Sequence, residues 1–316
     1  MEGRITDIDR FSTHDGPGIR TAIFFQGCPL HCMWCHSPET QPAGAVVVYR
    51  KMRCMECQTC MSSCARQAIV RQETKDEEGR TGIRIREELC VNCFACVKAC
   101  PTKALAQSSR CVSLSEVEQI LVQDKPFYDN SGGGVTLSGG EILMQAEFAL
   151  EIIKMCKKMG IHTAIETSGY GPAAQLLAIG RAADLIYYDI KMMEEELHRR
   201  YTGCDNRLIL ENLKELSRHC RETGELVVRI PCIPGINDSP EQIDRTARFV
   251  KELGIGWLEL LPYNEAASAK YDWLFRRYGL AGLHTRDKAY YEALERNVAG
   301  MGLKPYHPIY RRREKR

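Results

Sequence analysis

The stretch GCPLHCMWCHSPE, residues Gly27 to Glu39, holds Cys28, Cys32 and Cys35 at C-x3-C-x2-C spacing. An odd set of close neighbours cannot pair into disulfides without a leftover thiol and strained rings. The three read as metal ligands. A structural zinc site wants four protein ligands, so a set of three implies either a fourth partner, with His31 and His36 the nearest candidates, or an open coordination position. An iron-sulfur cube with one iron left open binds a small molecule there, which is chemistry rather than scaffolding. Just upstream, Arg20 to Gln26 (RTAIFFQ) is a β-branched and aromatic run that reads as a buried strand. The cysteine loop therefore leaves the end of a strand, where α/β folds place their sites.

A chain of 316 residues can bury one large core or a core plus an insert. Its 44% hydrophobic and 27% charged content is ordinary for a globular protein. No apolar run approaches the ~18 residues of a membrane helix. The start, MEGRITDIDRFSTHDG, has no apolar signal region, so a cytoplasmic address is expected. A net charge of +2 favours neither nucleic acid nor an anionic membrane as partner. The terminal basic run, Arg311, Arg312, Arg313, Lys315 and Arg316, reads as a solvated tail. Sixteen cysteines would stay reduced in that compartment. Eleven fall in three tight groups, and Cys111, Cys156, Cys204, Cys220 and Cys232 are expected to pack as small hydrophobes.

The composition changes between residues 46 and 110, which separates an insert from flanking segments 1–45 and 111–316. Cys54, Cys57, Cys60 and Cys64 follow C-x2-C-x2-C-x3-C, and Cys90, Cys93, Cys96 and Cys100 repeat it, with Pro101 after the second run and Ala65 after the first. This is the two-cluster ferredoxin pattern, in which the fourth cysteine of each run serves the other run's cluster. Cys54, Cys57, Cys60 and Cys100 would hold one 4Fe-4S cluster, and Cys64, Cys90, Cys93 and Cys96 the other. Gln72 to Arg86 reads as a surface hairpin.

After the insert, Ser115 and Glu118 form a candidate capping box for a helix through Gln123. Asp129 to Glu141 (DNSGGGVTLSGGE) places glycines around a short strand at Val135 to Leu137. No Lys-Ser/Thr follows, which argues against a P-loop. Gly139 and Gly140 instead suit close backbone approach to a ligand, with Glu141 offering a carboxylate to an ammonium. Strands at His162 to Thr167, Asp184 to Lys191, Glu225 to Cys232 and Gly256 to Leu261 then alternate with helices at Gln145 to Met159, Pro172 to Arg181, Asn206 to Glu222 and Ser239 to Leu253. Six strands with helical crossovers predict a parallel sheet. Successive strands end in Glu166, Thr167 and Ser168, in Asp189 and Lys191, in Arg229, and in Tyr263 and Asn264. Parallel strands send these ends to one face, where they would line one pocket with the first three cysteines.

With the cysteine triad, SGGE (Ser138 to Glu141), ETSG (Glu166 to Gly169), DIK (Asp189 to Lys191), LPYN (Leu261 to Asn264) and DGPGIRT (Asp15 to Thr21) in hand, nearly the whole chain resembles the radical S-adenosylmethionine (SAM) superfamily. It is most similar to the activating enzymes of glycyl radical enzymes. The resemblance implies a partial (β/α)6 TIM-like barrel of parallel strands carrying an inserted ferredoxin-like α+β domain, hence three 4Fe-4S clusters. It implies that Cys28, Cys32 and Cys35 hold the SAM-binding cluster, with Trp34 and Asn264 near the adenine. Gly139, Gly140, Glu141 and Asp189 would meet the methionine ammonium, and Lys191 and Arg229 its carboxylate. A monovalent cation would sit among Glu166, Thr167 and Asp189, and Asp15 would touch the partner's glycine loop. The implied partners are a glycyl radical enzyme and a reduced flavodoxin or ferredoxin, with the activase itself a monomer. The competing readings are a radical SAM enzyme acting on a small molecule or RNA, and an electron-transfer ferredoxin fused to a regulatory barrel.

Overall fold

The structure, a computed structural model, describes residues 1–72, 81–219 and 225–307. The chain opens with β1 (Glu2–Ser12), a long strand antiparallel to β2 (Arg20–Phe25). The insert follows, with β3 (Val47–Tyr49), α1 (Thr59–Ser62), β4 (Ile69–Arg71), β5 (Ile83–Ile85), α2 (Ala95–Ala99) and β6 (Leu105–Gln107). The chain then returns through β7 (Arg110–Ser113), α3 (Leu114–Ser131), β8 (Gly134–Gly139), α4 (Ala146–Lys158), β9 (His162–Thr167), α5 (Ala173–Ala182) and β10 (Leu185–Asp189). It closes with α6 (Glu195–Thr202), α7 (Arg207–His219), β11 (Glu225–Cys232), α8 (Pro240–Glu252), β12 (Trp257–Pro262), α9 (Ser268–Trp273), α10 (Lys288–Gly300) and β13 (Lys304–Pro305).

One nine-stranded sheet runs β13-β12-β11-β10-β9-β8-β2-β1-β7. The six expected strands, β2 and β8 to β12, pair in parallel, each with the next along the chain. Among the described residues the sheet does not close on itself, so the barrel is partial. Alternate residues of each strand face opposite sides. Ile23, Leu137, Ile165, Ile186, Val228 and Leu258 join the main apolar core with helix residues such as Leu121, Ile152, Leu176, Leu213 and Val250. The opposite face mixes the polar Arg20, Thr136, Glu166, Arg229 and Glu259 with a small apolar cluster of Ala164, Leu185, Tyr187, Val227 and Tyr306. Helix α4 shows the pattern that packs the outer side: Phe148, Ala149, Ile152, Ile153 and Cys156 recur at helical spacing and are buried.

Four sequence expectations change, the last that Cys111 packs as a small hydrophobe. β1 was not foreseen, because EGRITDIDRFS mixes charged and apolar positions and its pairing with β2 is broken by register shifts. The cap of α3 is Ser113, whose Oγ accepts from Glu116 N at 3.1 Å, rather than Ser115. That helix also runs past Gln123 through Pro126 to Ser131, since Tyr128 packs in the core and its hydroxyl donates to Thr21 Oγ1. Of the scattered cysteines, Cys156 and Cys232 are buried and Cys111 is exposed. The Cys204 thiol donates to Pro29 O at 3.3 Å. Cys220, the tip of the 72–86 hairpin and the basic tail lie outside the described residues.

Within the insert, β3 pairs with β6 and β4 with β5, and a separate apolar cluster of Val47, Tyr49, Ile69, Ile83, Ile85 and Leu105 carries the cysteine runs. Glu56, Gln58 and Gln67 in the first run and Asn92, Phe94 and Lys103 at the equivalent positions of the second all have positive φ. Such left-handed turns cost non-glycine residues energy and persist where the surroundings impose them. Their repetition shows two loops wrapped by the same rule. No helix among the described residues is long and apolar enough to cross a membrane.

Candidate functional site

The carboxyl ends of the parallel strands surround a cavity of about 370 Å³, within the ~300–1,000 Å³ usual for small-molecule sites. Cys28, Cys32, Cys35 and Trp34 line it, together with Gly139, Gly140, Glu166, Thr167, Asp189, Lys191 and Asn264. The triad loop is held by its own amides. Gly27 N–H donates to Thr40 O at 2.7 Å, Cys28 N–H to Gln41 O at 3.2 Å, and Cys35 N–H to Cys32 O at 3.0 Å. His31, one candidate zinc partner, is exposed, and His36 lines the cavity.

The glycine loop is shaped as much by the triad strand as by any ligand. Gly139 has φ +105°, and a Cβ there would stand 2.4 Å from Phe25 N; at Gly140 it would stand 2.2 Å from Gly27 O. Only glycine lets β8 exit this close to β2. Glu141 departs from the expectation that it faces an ammonium. It is fully buried, and its carboxylate accepts from Thr167 Oγ1 at 2.6 Å, Ser168 N at 2.8 Å, Ser168 Oγ at 2.6 Å and Leu143 N at 3.2 Å. It stitches the glycine loop to the end of β9. Burial raises its pKa despite those four donors.

Arg229 likewise stands behind the cavity wall rather than in it. Its Nε donates to Asp189 Oδ1 at 2.9 Å and its NH1 to Glu166 Oε1 at 2.7 Å, while the guanidinium lies 4.8 Å from the Tyr187 ring centroid. Lys191 Nζ takes the other Asp189 oxygen at 2.7 Å, and Ser138 Oγ donates to Glu166 Oε2 at 2.6 Å. Burial works to raise the Asp189 carboxyl, but Arg229 and Lys191 outweigh it and hold it below the ordinary value. The wall is thus a fixed chain of alternating charge. Below it, Asp15 accepts from Ser12 Oγ, its carbonyl takes Thr136 Oγ1 at 2.6 Å, and burial raises its carboxyl. Arg20 braces that turn by donating to Pro17 O, Val135 O and Thr136 Oγ1.

Asn264 lines the cavity while its Oδ1 caps Ala266 N at 3.0 Å. Trp34 is buried among Met192, Ile233, Tyr263, Tyr271 and Tyr278. Sequence reasoning missed Glu259, whose polar side chain interrupts the apolar run of β12, and Tyr271 on α9, a short helix with no periodic signal.

The insert gathers its cysteines across runs. One cavity is lined by Cys54, Cys57, Cys60 and Cys100, a second by Cys64, Cys90, Cys93 and Cys96. The three sets differ in surroundings. Burial drives all three triad thiols up, Cys32 to about 12. Buried thiols of this kind ionise only against a strong local positive charge, which bound iron provides. In the insert the fit rests on number and placement, four thiols around each cavity being the donor set of an iron-sulfur cluster.

Comparison with known proteins agrees. Residues 99–250 match the family model described as the Radical SAM superfamily, and residues 53–104 that of a 4Fe-4S dicluster domain. Trans-4-hydroxy-L-proline dehydratase activating enzyme of Clostridioides difficile is 41% identical over 88% of this chain and 90% of its own. (2S)-3-sulfopropanediol dehydratase activating enzyme of Klebsiella oxytoca is 36% identical over 99% of this chain and 98% of its own. Streptococcus suis SuiB bound to precursor peptide SuiA superposes with a TM-score of 0.54 at 12% identity, over 93% of this chain and 49% of that one, a likeness of fold alone. The chain belongs to the radical SAM superfamily, among the activating enzymes of glycyl radical enzymes, with iron-sulfur clusters and SAM as its cofactors.

Proposed function

We propose that the strand-end cavity binds SAM against a cluster held by Cys28, Cys32 and Cys35, and that the chain uses it to place a radical on a backbone glycine of a partner glycyl radical enzyme. One observation carries this reading: a loop offering three cysteines rather than four opens onto the same cavity as the charged strand ends. When bound, the reduced cluster and SAM supply the chemistry, an electron cleaving the S to C5′ bond to give methionine and a 5′-deoxyadenosyl radical that takes a hydrogen atom from the partner's glycine.

The chain's residues orient and shield. The backbone at Gly139 and Gly140, with Asp189, receives the methionine ammonium; Glu141 braces that loop from behind. Lys191 is the cation in reach of the carboxylate, and Arg229 fixes Glu166 and Asp189 so that neither swings. Trp34 and Asn264 flank the adenine. A monovalent cation among Glu166, Thr167 and Asp189 would share those carboxylates with Arg229 and Lys191. Asp15 lies where the glycine loop would enter. No side chain is asked to act as acid or base; positioning and exclusion of water do the work.

The insert, residues 46–110, holds two further clusters and relays electrons from a reduced flavodoxin or ferredoxin in the cytoplasm. Anaerobically reconstituted protein is expected to carry about twelve irons, as three cubes require. Under reduction it should form methionine and 5′-deoxyadenosine from SAM and leave a glycyl-radical signal on its partner. SAM turnover on a small molecule or RNA, with no signal on any partner protein, would overturn the reading.

A further inference from the structure

Helix α6 ends against the triad loop. Its last carbonyls, which a helix C-terminus leaves without intrahelical partners, accept from that loop: Met33 N–H donates to Tyr201 O at 3.0 Å and His31 N–H to Thr202 O at 2.7 Å. Those are the amides on either side of Cys32. The chain then turns through Gly203, φ +83°, and the Cys204 thiol donates to Pro29 O at 3.3 Å. Asn206 Nδ2 donates to Met192 O and Met193 O, both at 3.0 Å, just after the DIK tripeptide. One turn therefore grips both the triad loop and the loop leaving β10.

His198 sits at the centre of that turn, fully buried. Its Nδ1 lies 2.6 Å from Cys204 O and 3.0 Å from Thr202 Oγ1, and the Thr202 hydroxyl donates back to His198 O at 2.8 Å. A carbonyl partner requires the proton on Nδ1. That leaves Nε2 a bare acceptor, buried and without a partner. Burial pushes the imidazole pKa down, in keeping with the neutral ring. Nothing in the reaction as derived above uses this side chain.

Elsewhere amides do reach cysteine sulfur. In the insert Glu56 N–H donates to Cys54 Sγ at 3.4 Å and Ala68 N–H to Cys64 Sγ at 3.3 Å. In the triad loop the Leu30 amide bonds the Cys28 thiol and the Ser37 amide the Cys35 thiol, whereas the amides flanking Cys32 are turned onto α6. Hydrogen bonds to cluster sulfurs help set the reduction potential, because donors stabilise the added electron. We propose that His198 is a positioning residue for the triad: by fixing the Thr202 to Cys204 turn it keeps the amides beside Cys32 on α6 carbonyls and off sulfur, which holds that cluster strongly reducing.

This rests on the reading that the triad carries a cluster, and the test separates the two. The full chain, reconstituted with all its clusters, is titrated by electron spin resonance without SAM, as wild type and as His198→Leu, His198→Gln and His198→Asn. An Asn amide nitrogen reaches the place of Nδ1, whereas that of Gln reaches the place of Nε2. The triad midpoint should move positive in the Leu and Gln variants and return toward wild type in the Asn variant, with iron content and insert signals unchanged. A Leu variant that titrates like wild type, or Asn and Gln variants that behave alike, overturns the proposal. Should His198→Leu not fold, Thr202→Val loosens the same turn and should shift the midpoint the same way by less; no shift overturns the proposal equally. A wild-type protein with insert signals but no third cluster would instead sink the underlying assignment of the triad.

Discussion

The triad and the insert place the same side chain in different numbers and at different depths. The insert gathers two sets of four cysteines, with Cys57 and Cys93 exposed, with Cys96 buried and its thiol pushed up to about 11, and with sulfurs accepting from Glu56 N, Thr59 Oγ1 and Ala68 N. The triad stops at three, all its thiols are driven up by burial, and the amides flanking Cys32 are spent on α6 carbonyls while those of Leu30 and Ser37 bond the Cys28 and Cys35 thiols. On the proposed reading, four cysteines to a cluster suit storing and passing electrons. Incomplete ligation inside a walled cavity suits doing chemistry with them. The fold produces the difference by placing the triad at the end of a central strand and the insert outside the sheet.

Removing one cysteine from each region tests that division most sharply. Cys28→Ala should lose about four of the ~12 irons and drop SAM cleavage to background. Cys57→Ala should lose a similar amount of iron yet still cleave SAM with a chemical reductant, while reduction by a protein donor slows. Iron analysis beside assays for methionine and 5′-deoxyadenosine reads both. If Cys28→Ala retained cleavage, the triad would not be the reacting centre.

Charge pairs should separate the regions next. Arg229 is buried between Glu166 and Asp189, whose side chains are themselves 18% and 16% exposed. Arg229→Met leaves Glu166 without its cation and Asp189 with Lys191 alone, and breaking a buried pair this way costs about 3–5 kcal/mol. Arg71, 3.8 Å from Glu56, is 56% exposed, and Arg71→Met should leave the denaturation midpoint close to wild type. Urea denaturation midpoints compare the two, and equal costs would mean that the charged wall contributes no more than surface pairs do.

Much of this was written in local sequence. Spacing grouped the insert cysteines as they line its two cavities, and apolar, β-branched runs alternating with helical patterns located the parallel strands and the helices between them. What local sequence did not carry was long-range hydrogen bonding. Glu141 looked like a ligand because a carboxylate after two glycines suits an ammonium, yet its partners Thr167 and Ser168 lie on the next strand's end. Arg229 was placed at the cavity by its strand position, but its length lets it tie two neighbouring strands behind the wall. β1 was hidden because its strand carries charge on both faces. His198 was invisible because α6, at eight residues, shows little beyond charge, and its importance comes from a turn six residues further on.

Acid-base behaviour should separate the regions by the smallest margin. Burial raises the Glu259 carboxyl to about 7, with Glu166 and Asp189 adding to the rise and Arg229 opposing it. Between roughly pH 4.5 and 7 the folded protein holds a proton that the unfolded chain has released, so stability falls as pH rises through that window. Glu56 in the insert runs the other way. Hydrogen bonds from Thr81 lower its carboxyl, so what it contributes is present above its unfolded value and is lost on acidification. Glu259→Gln should remove a decline on the order of 1–2 kcal/mol between pH 5 and 8, allowing for partial solvent screening. Glu56→Gln should leave that window unchanged and flatten only the acid side. Denaturation midpoints measured across pH decide it: a Glu259→Gln protein with the wild-type slope would show that this carboxyl is ionised in the fold, and hence that Arg229 is balanced by three negative charges rather than two.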